Sequence, residues 1–265
     1  MSGKQKCASK VISQKMIADG IYDMWLEADF AGDVVPGQFI GVYTVNKAAL
    51  LPRPISICEA DRKGSAIRIV YRVVGTGTAE FALYGPGDYI MILGPLGNGF
   101  PLDEAEGKNV VVMGGGIGVP PLLETVKRLS EKKTPGPGEI NAVMGYRSRD
   151  TFLSDEFSKY AGLYIASDDG SVGVKGNVID ALKESGKKPD LIFACGPMPM
   201  LKGIKSYAEE NGIKAYLSLE ERMACGVGAC LGCVCRTKEA DSHSHVKNAR
   251  ICTEGPVFDA SILDL

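Results

Sequence analysis

No stretch of this 265-residue sequence approaches the roughly 18 consecutive apolar residues of a membrane-spanning helix, so neither a span nor a membrane partner is expected. Lys4 and Lys6 near the start are followed by no apolar stretch, and no secretory signal is expected either. The chain also lacks a surplus of one charge: 30 Lys and Arg against 32 Asp and Glu give a formal net charge of −2. A nucleic-acid binder would carry a basic stripe or tail, so no nucleic-acid partner is expected. Internal repeats are absent. The remaining composition, 45% hydrophobic and 23% charged, can bury a real core, and a cytoplasmic location is expected.

Cysteine is not scarce. Five of the eight cysteines fall between Cys225 and Cys252, which suits a metal or cluster site in a reducing compartment better than a disulfide framework.

Residues 8 to about 100 read as short strands, at 39–43, 55–58, 66–73 and 89–93, with turn residues between them. Ile67, Ile69, Tyr71 and Val73 alternate with the other face, the period of a half-buried strand. Only 79–83 suggests a helix in this part, and a small barrel or sandwich is expected. Residues 103–108 are polar and read as a linker. Asn109 to Met113 then forms a continuous apolar run, as a buried parallel strand should, and ends in glycines. Helices are expected at 121–132, 178–185 and 199–211, and strands at 140–146, 162–166 and 191–194. This alternation predicts a doubly wound α/β unit. From about 217 onward the chain is rich in Gly and Cys, too irregular to build a core without a staple.

Cys225-x4-Cys230-x2-Cys233, followed by Cys252, has the plant-type ferredoxin spacing for a [2Fe–2S] cluster. The small residues Gly226, Gly228 and Ala229 let the loop wrap closely and aim N–H groups at sulfur. Structural zinc is the competing assignment, given Cys235, His243 and His245, although zinc sites more often show paired C-x2-C elements. Gly114, Gly115, Gly116, Ile117 and Gly118 lie between a strand and a helix, where glycines admit a phosphate to backbone donors. A ligand-free tight turn explains them equally well. Cys195, Gly196 and Pro197 end another apolar strand, and the two loops should line one crevice at the carboxyl ends of the sheet. Arg53, Pro54, Ile55 and Ser56 can offer a cation to a phosphate and a hydroxyl to a polar ring edge, or form an ordinary edge strand. Gly77 and Thr78 sit in either a plain turn or a nest of N–H groups.

Taken in order, these elements resemble the ferredoxin–NAD(P) reductase superfamily, with its R-P-x-S strand, G-G-G-x-G-x-x-P loop and C-G-P loop. The segments around Leu219 to Cys230 and Ile251 to Phe258 look like those of the electron-transfer subunits of two-subunit, NAD-dependent dihydroorotate dehydrogenases. The resemblance covers nearly the whole chain. It implies a multidomain α+β protein: an FAD-binding antiparallel β-barrel over 1–102, a doubly wound α/β NAD-binding domain over 103–215, and a small C-terminal [2Fe–2S] domain over 216–265.

By the same resemblance, Arg53, Pro54, Ile55, Ser56, Val70, Tyr71, Arg72, Gly77 and Thr78 match the flavin-binding positions. Gly114, Gly115, Gly116, Gly118, Gly196 and Pro197 match the nicotinamide-nucleotide loops, with Cys195 close to the hydride-transfer site. Cys225, Cys230, Cys233 and Cys252 match the cluster ligands. The implied activity is electron transfer between NAD and an FMN-containing dihydroorotate dehydrogenase catalytic subunit, in a heterotetramer with two copies of each, for pyrimidine biosynthesis. Val227, Ala229 and Leu231 are candidates for the surface that meets the partner. Acidic Asp168 and Asp169 point to NAD over NADP, whereas Arg147 and Arg149 point the other way. Two alternatives stand beside this reading. One is the flavin and iron–sulfur subunit of another NAD(P)H–ferredoxin-type or sulfite-type reductase. The other is a non-catalytic, zinc-stapled binding module.

Overall fold

The period-2 alternation over 66–73 separates the inside of a closed barrel from its outside. In the computed structural model, which describes residues 4–46, 48–132, 136–240 and 245–265, the barrel strands are β1 (Gln5–Ala18), β2 (Ile21–Glu27), β3 (Phe39–Val42), β4 (Arg53–Asp61), β5 (Ala66–Arg72) and β6 (Tyr89–Leu96). Helix α1 (Thr76–Phe81) precedes β6. The barrel order is β1-β2-β5-β4-β3-β6, with antiparallel neighbours throughout. Asp19 and Gly20 join β1 to β2, and Gly20 takes φ +65°, the left-handed turn geometry that glycine tolerates. Ile67, Ile69 and Tyr71 point inward to Met24, Leu26, Ile40, Ile57 and Ile92.

The second half alternates strand and helix: β7 (Val110–Gly115), α2 (Leu123–Glu131), β8 (Ile140–Tyr146), α3 (Ser154–Phe157), β9 (Gly162–Ser167), β10 (Val174–Lys175), α4 (Val178–Ser185), β11 (Leu191–Cys195), α5 (Met198–Asn211) and β12 (Lys214–Ser218). After the cysteine loop come β13 (Val234–Arg236), β14 (Asn248–Arg250) and β15 (Val257–Asp259). The large sheet runs β10-β9-β8-β7-β11-β12-β15 and is parallel except for β15. The apolar run of β7 is buried on both faces. Val110 and Val112 share a core with Phe193, Leu122 and Val126, and with Cys58 and Val70 of the barrel wall. Val111 and Met113 face Ile192, Leu182 and Ile204, in a core that also takes in Met223, Cys233, Cys252 and Phe258. Most of the barrel contact lies on one side of the sheet and most of the C-terminal segment on the other, with Phe39 and Leu96 of the barrel joining the C-terminal core and Val257 joining the barrel-side one.

Three local expectations are revised. Residues 102–105 form a 3-10 turn with Ala105 fully buried, so the polar stretch is seated against the sheet and is no free linker. The helix expected at 79–83 begins at Thr76, because the Thr78 hydroxyl accepts N–H bonds from Val74 (2.9 Å) and Gly75 (3.2 Å) and closes its first turn. The segment after 217 contributes to the common core and adds strand β15 beside β12. Among the described residues, no helix is long and apolar enough to cross a membrane.

Phe258 pins β15, its ring lying over Gly255 and 5% exposed. Phe258→Ala is expected to cost about 3–5 kcal/mol, as large aromatic truncations in cores do, read as a lower urea denaturation midpoint.

Candidate functional site

Strands β7 and β11 lie side by side in parallel, with Gly114 opposite Cys195, so the loops that follow them open on one crevice. This crevice has a volume of 730 Å³. Gly115, Gly116, Ile117, Gly118, Gly196 and Pro197 line it, together with Tyr146, Arg147, Phe152 and Asp168. Most of the glycines here serve packing. A Cβ on Gly118 would stand 2.4 Å from the Cys195 carbonyl oxygen, and one on Gly115 2.5 Å from Met200 Sδ. Gly114 and Gly196 are closed off in the same way by Met144 and Met200. Gly116, at φ +55°, has Arg72 Nη2 as its nearest neighbour, 3.9 Å from where a Cβ would stand. Pro120 and Pro121 carry no N–H, so the turn after the loop offers an anion fewer donors than an ordinary helix start.

A part of this crevice escaped the motif reading: Gly176, Asn177 and Val178 at the start of α4. Its signal was available, since Asn177 caps the N–H groups of Ile179 and Asp180 and Asp180 bonds back, a capping box. Cys195 is 1% exposed and lies behind the wall; burial pushes its thiol far up, against a weaker opposing bond to Ser218.

A second cavity, of 570 Å³, lies between the barrel and the segment 218–223. Arg53, Pro54, Ile55 and Ser56 of β4, Val70, Tyr71 and Arg72 of β5, and Thr78 all line it. Arg53 is held in place: Nη1 donates to the carbonyls of Ala49 (2.8 Å) and Leu51 (2.5 Å). Its side chain crosses Gly77 so closely that a Cβ there would stand 2.2 Å from Nε. The Tyr71 ring points into the barrel, stacked on Tyr22 at 5.8 Å, with its hydroxyl donating to Gln14 Oε1 (2.8 Å). Arg72, Ile117 and Glu220 line both cavities, so the two adjoin. Desolvation at that junction pushes the Glu220 carboxyl up, although part of the side chain still meets solvent. Glu220 lies in the segment around Leu219 to Cys230 that carries the resemblance, but nothing in the sequence gives it a role of its own.

The cavity wall continues through Met223 into the cysteine loop. Gly226 (φ +68°) and Gly228 (φ +86°) take left-handed turns that curl the backbone. The Cys225 sulfur accepts N–H bonds from Val227 and Cys230, each at 3.4 Å. Desolvation opposes ionisation, but these bonds, with help from the Cys230 thiol and the Ala229 N–H, draw Cys225 down to about 6. Cys233 and Cys252 are also neighbours; burial and the Cys233 thiol push Cys252 up to about 11. Cys235 turns away, its thiol directed to the Ala249 carbonyl at 3.6 Å.

The four thiols thus form two pairs around one loop, which fits two irons held by two thiolates each. Among the described residues, no three His, Cys, Asp or Glu side chains gather as a single ion would need. His243, invoked for zinc, lies outside the described residues. Thr253 Oγ1 is buried beside Gly228 without a hydrogen-bond partner, an orphan polar atom consistent with an unseen group at this loop. Cys230 is exposed, as are Val227, Ala229 and Leu231.

Residues 220–264 match the family model of the iron–sulfur cluster binding domain of dihydroorotate dehydrogenase B. Over 258 residues the chain is 42% identical to the dihydroorotate dehydrogenase B (NAD(+)) electron transfer subunit of Listeria monocytogenes serotype 4a (strain HCC23), covering 97% of this chain and 98% of that one. An NADH-dependent reduced ferredoxin–NADP oxidoreductase, solved in a study of flavin-based electron bifurcation, superposes with a TM-score of 0.85 at 30% identity, over 100% of this chain and 91% of that one. A ferredoxin NADP⁺ reductase from Neisseria gonorrhoeae, with bound FAD and NADP, shares the fold: TM-score 0.66, 16% identity, 82% and 94% covered.

The contact of Gly118 with the Cys195 backbone gives a test. Gly118→Ala is expected to destabilise by about 1–3 kcal/mol through overpacking against atoms that cannot move aside. Gly203→Ala, whose new methyl would meet only the end of Ile179 at 3.3 Å, is expected to be neutral or stabilising in scanning calorimetry.

Proposed function

The chain belongs to the family of dihydroorotate dehydrogenase B (NAD(+)) electron-transfer subunits, and from that membership we propose which of its residues hold the redox groups and which face the partner. It is an oxidoreductase component with FAD, a [2Fe–2S] cluster and NAD(H) as its redox groups. As an electron-transfer subunit it works with a catalytic subunit of dihydroorotate dehydrogenase B. A sulfite-type reductase subunit and a zinc-stapled module are not favoured, since the match to this family spans 97% of the chain.

One observation carries the assignment. The crevice and the barrel cavity share Arg72, Ile117 and Glu220, and Met223 at the far end of that cavity stands two residues before Cys225. Three sites in a row lead from the sheet to the exposed Cys230. The nicotinamide nucleotide is assigned to the crevice, FAD to the barrel cavity, and the cluster to Cys225, Cys230, Cys233 and Cys252. We read the functional division as 1–102, 103–215 and 216–265, with β12 and β15 carrying the last two into one sheet.

When bound, the flavin supplies the junction between two-electron nicotinamide chemistry and one-electron cluster chemistry. The chain's own residues do the positioning. Arg53, anchored by two carbonyls, would hold the flavin pyrophosphate with its remaining N–H groups, together with the backbone of Gly77 and Thr78. Pro54, Ile55 and Ser56 would hold the flavin ring, and Tyr71 would contribute from the strand while its own ring supports the barrel. Gly116 gives the nucleotide backbone access. Asp168 would favour an unphosphorylated ribose and Arg147, in the same crevice, a phosphorylated one, so the choice of NAD follows from the family. Cys195, buried behind the crevice wall, is read as lying close to hydride transfer. Backbone N–H groups around Cys225 favour a thiolate ready for iron.

The catalytic partner is read as an FMN-containing subunit, with two copies of each chain in a heterotetramer serving pyrimidine biosynthesis. Its docking face is placed around Cys230, where Val227 is 41% and Leu231 63% exposed. Eight cysteines without a disulfide support a cytoplasmic setting.

The purified chain is expected to be yellow-brown and to bleach with NADH, with iron and sulfide in equal amounts. Zinc at one per chain without iron would overturn the cluster assignment. Cys252→Ser is expected to lose the iron, and Cys235→Ser to keep it, by metal analysis and electron paramagnetic resonance. Leu231→Asp is expected to weaken association with the catalytic subunit about tenfold or more, as a charge in an apolar interface centre does, by sedimentation analysis. NADH should reduce its flavin as in the parent chain.

A further inference from the structure

The barrel and the sheet are joined by more than apolar packing. Arg68 lies on the outer face of β5, its side chain only 6% exposed, and it meets carboxylates from both units. Nε and Nη2 donate to Asp23 of β2 at 2.8 and 2.9 Å, a fork within the barrel. Nη1 and Nη2 donate to Glu156 of α3 at 2.6 and 2.9 Å, a second fork that crosses to the sheet unit. Nη1 also reaches Glu59 of β4 at 3.3 Å, and Glu59 receives Lys127 of α2 at 2.6 Å. Lys15 stands 3.7 Å from Asp23, so three cations and three carboxylates balance at this seam.

Both ends of the crossing fork lead to the redox sites. Arg72 is four residues beyond Arg68 on the same face of β5, about 13 Å along the strand, and it lines both cavities. Glu156 sits just after Arg147, Asp150 and Phe152, which line the nucleotide crevice. Between them Leu153 holds φ +68°, a left-handed backbone that a leucine adopts only where its surroundings enforce it. A flexible surface helix would relax this residue; α3 is held.

We propose that Arg68 is a positioning residue for hydride transfer, gripping Glu156 so that the nucleotide crevice stays aligned with the flavin cavity across their shared wall. The proposal rests on the assignment of nicotinamide nucleotide and FAD to those two cavities. An apolar seam resists separation but tolerates sliding, whereas two planar forks on one guanidinium fix both distance and angle. Misplacement of reacting atoms by about an ångström can slow a reaction by about a hundredfold, so a small rotation here would be felt at the flavin.

The test uses the holoenzyme complex with Glu156→Gln, which keeps the side-chain volume and changes the less buried partner, and Arg68→Lys, which keeps the charge and loses the forks. In single-turnover reduction by NADH, both are expected to reduce flavin about tenfold or more slowly, as imprecise alignment predicts. The primary deuterium isotope effect should rise, and the NADH dissociation constant should stay within about twofold. Flavin and iron contents should be those of the parent chain, while amide hydrogen exchange over 147–157 should quicken. Parent-like reduction by Glu156→Gln with parent-like exchange would overturn the proposal. So would slowing that merely tracks loss of flavin or iron, since the pair would then be a general fold support. A parent complex whose flavin NADH does not reduce would instead sink the cavity assignment, and this proposal with it.

Discussion

Strand β5 sends successive side chains to opposite sides, and both sides are committed. Ile67, Ile69 and Tyr71 fill the barrel. Arg68 and Val70 face the sheet unit, and Arg72 reaches the wall common to both cavities. A slip of one residue would exchange the two sets, placing a guanidinium in the barrel and a tyrosine at the seam. The long pairing of β2 with β5, from Ile21 opposite Arg72 to Glu27 opposite Ala66, excludes that slip. Barrel closure and the adjacency of the two cavities thus depend on the same register.

The signals visible in the sequence were local ones. Glycines at a strand end, an Arg-Pro pair and a cysteine spacing are short patterns whose chemistry depends on near neighbours. The apolar alternation of 66–73 and the continuous run before Gly114 carried the two fold types. What escaped was set by distant pairing. Strand β15 exists because β12 offers it an edge, and three residues cannot announce that in advance. Glu220 matters only because the chain turns after β12 to pass between two cavities. The glycine loop was legible as a site, but Gly118 is required by the Cys195 backbone, a contact between the turn after β7 and the end of β11, far apart in sequence.

Cys235 and Cys252 illustrate the same division. Spacing alone leaves too little chain between Cys233 and Cys235 to reach the far side of a two-iron cluster, and the fold supplies the rest of the reason. Pairing of β13 with β14 sets Cys235 opposite Ala249, and its thiol turns to the Ala249 carbonyl. The same ribbon returns the chain through Ile251, whose N–H bonds the Cys233 carbonyl, and so delivers Cys252 beside Cys233.

Burial of charge at the barrel–sheet seam argues from cost to purpose. Replacing a buried ion pair by well-packed apolar residues is often neutral or stabilising, because desolvation offsets most of the Coulomb attraction. Stability alone therefore gives little reason to put Arg68, Asp23 and Glu59 where Val70, Cys58 and Ile21 already supply apolar packing. Directionality does. Methyl groups on a barrel wall permit many relative rotations at nearly equal energy, while a guanidinium holding two carboxylates in its plane permits one. For a chain whose two adjoining cavities must keep a common wall, restricting that rotation is worth the desolvation it entails.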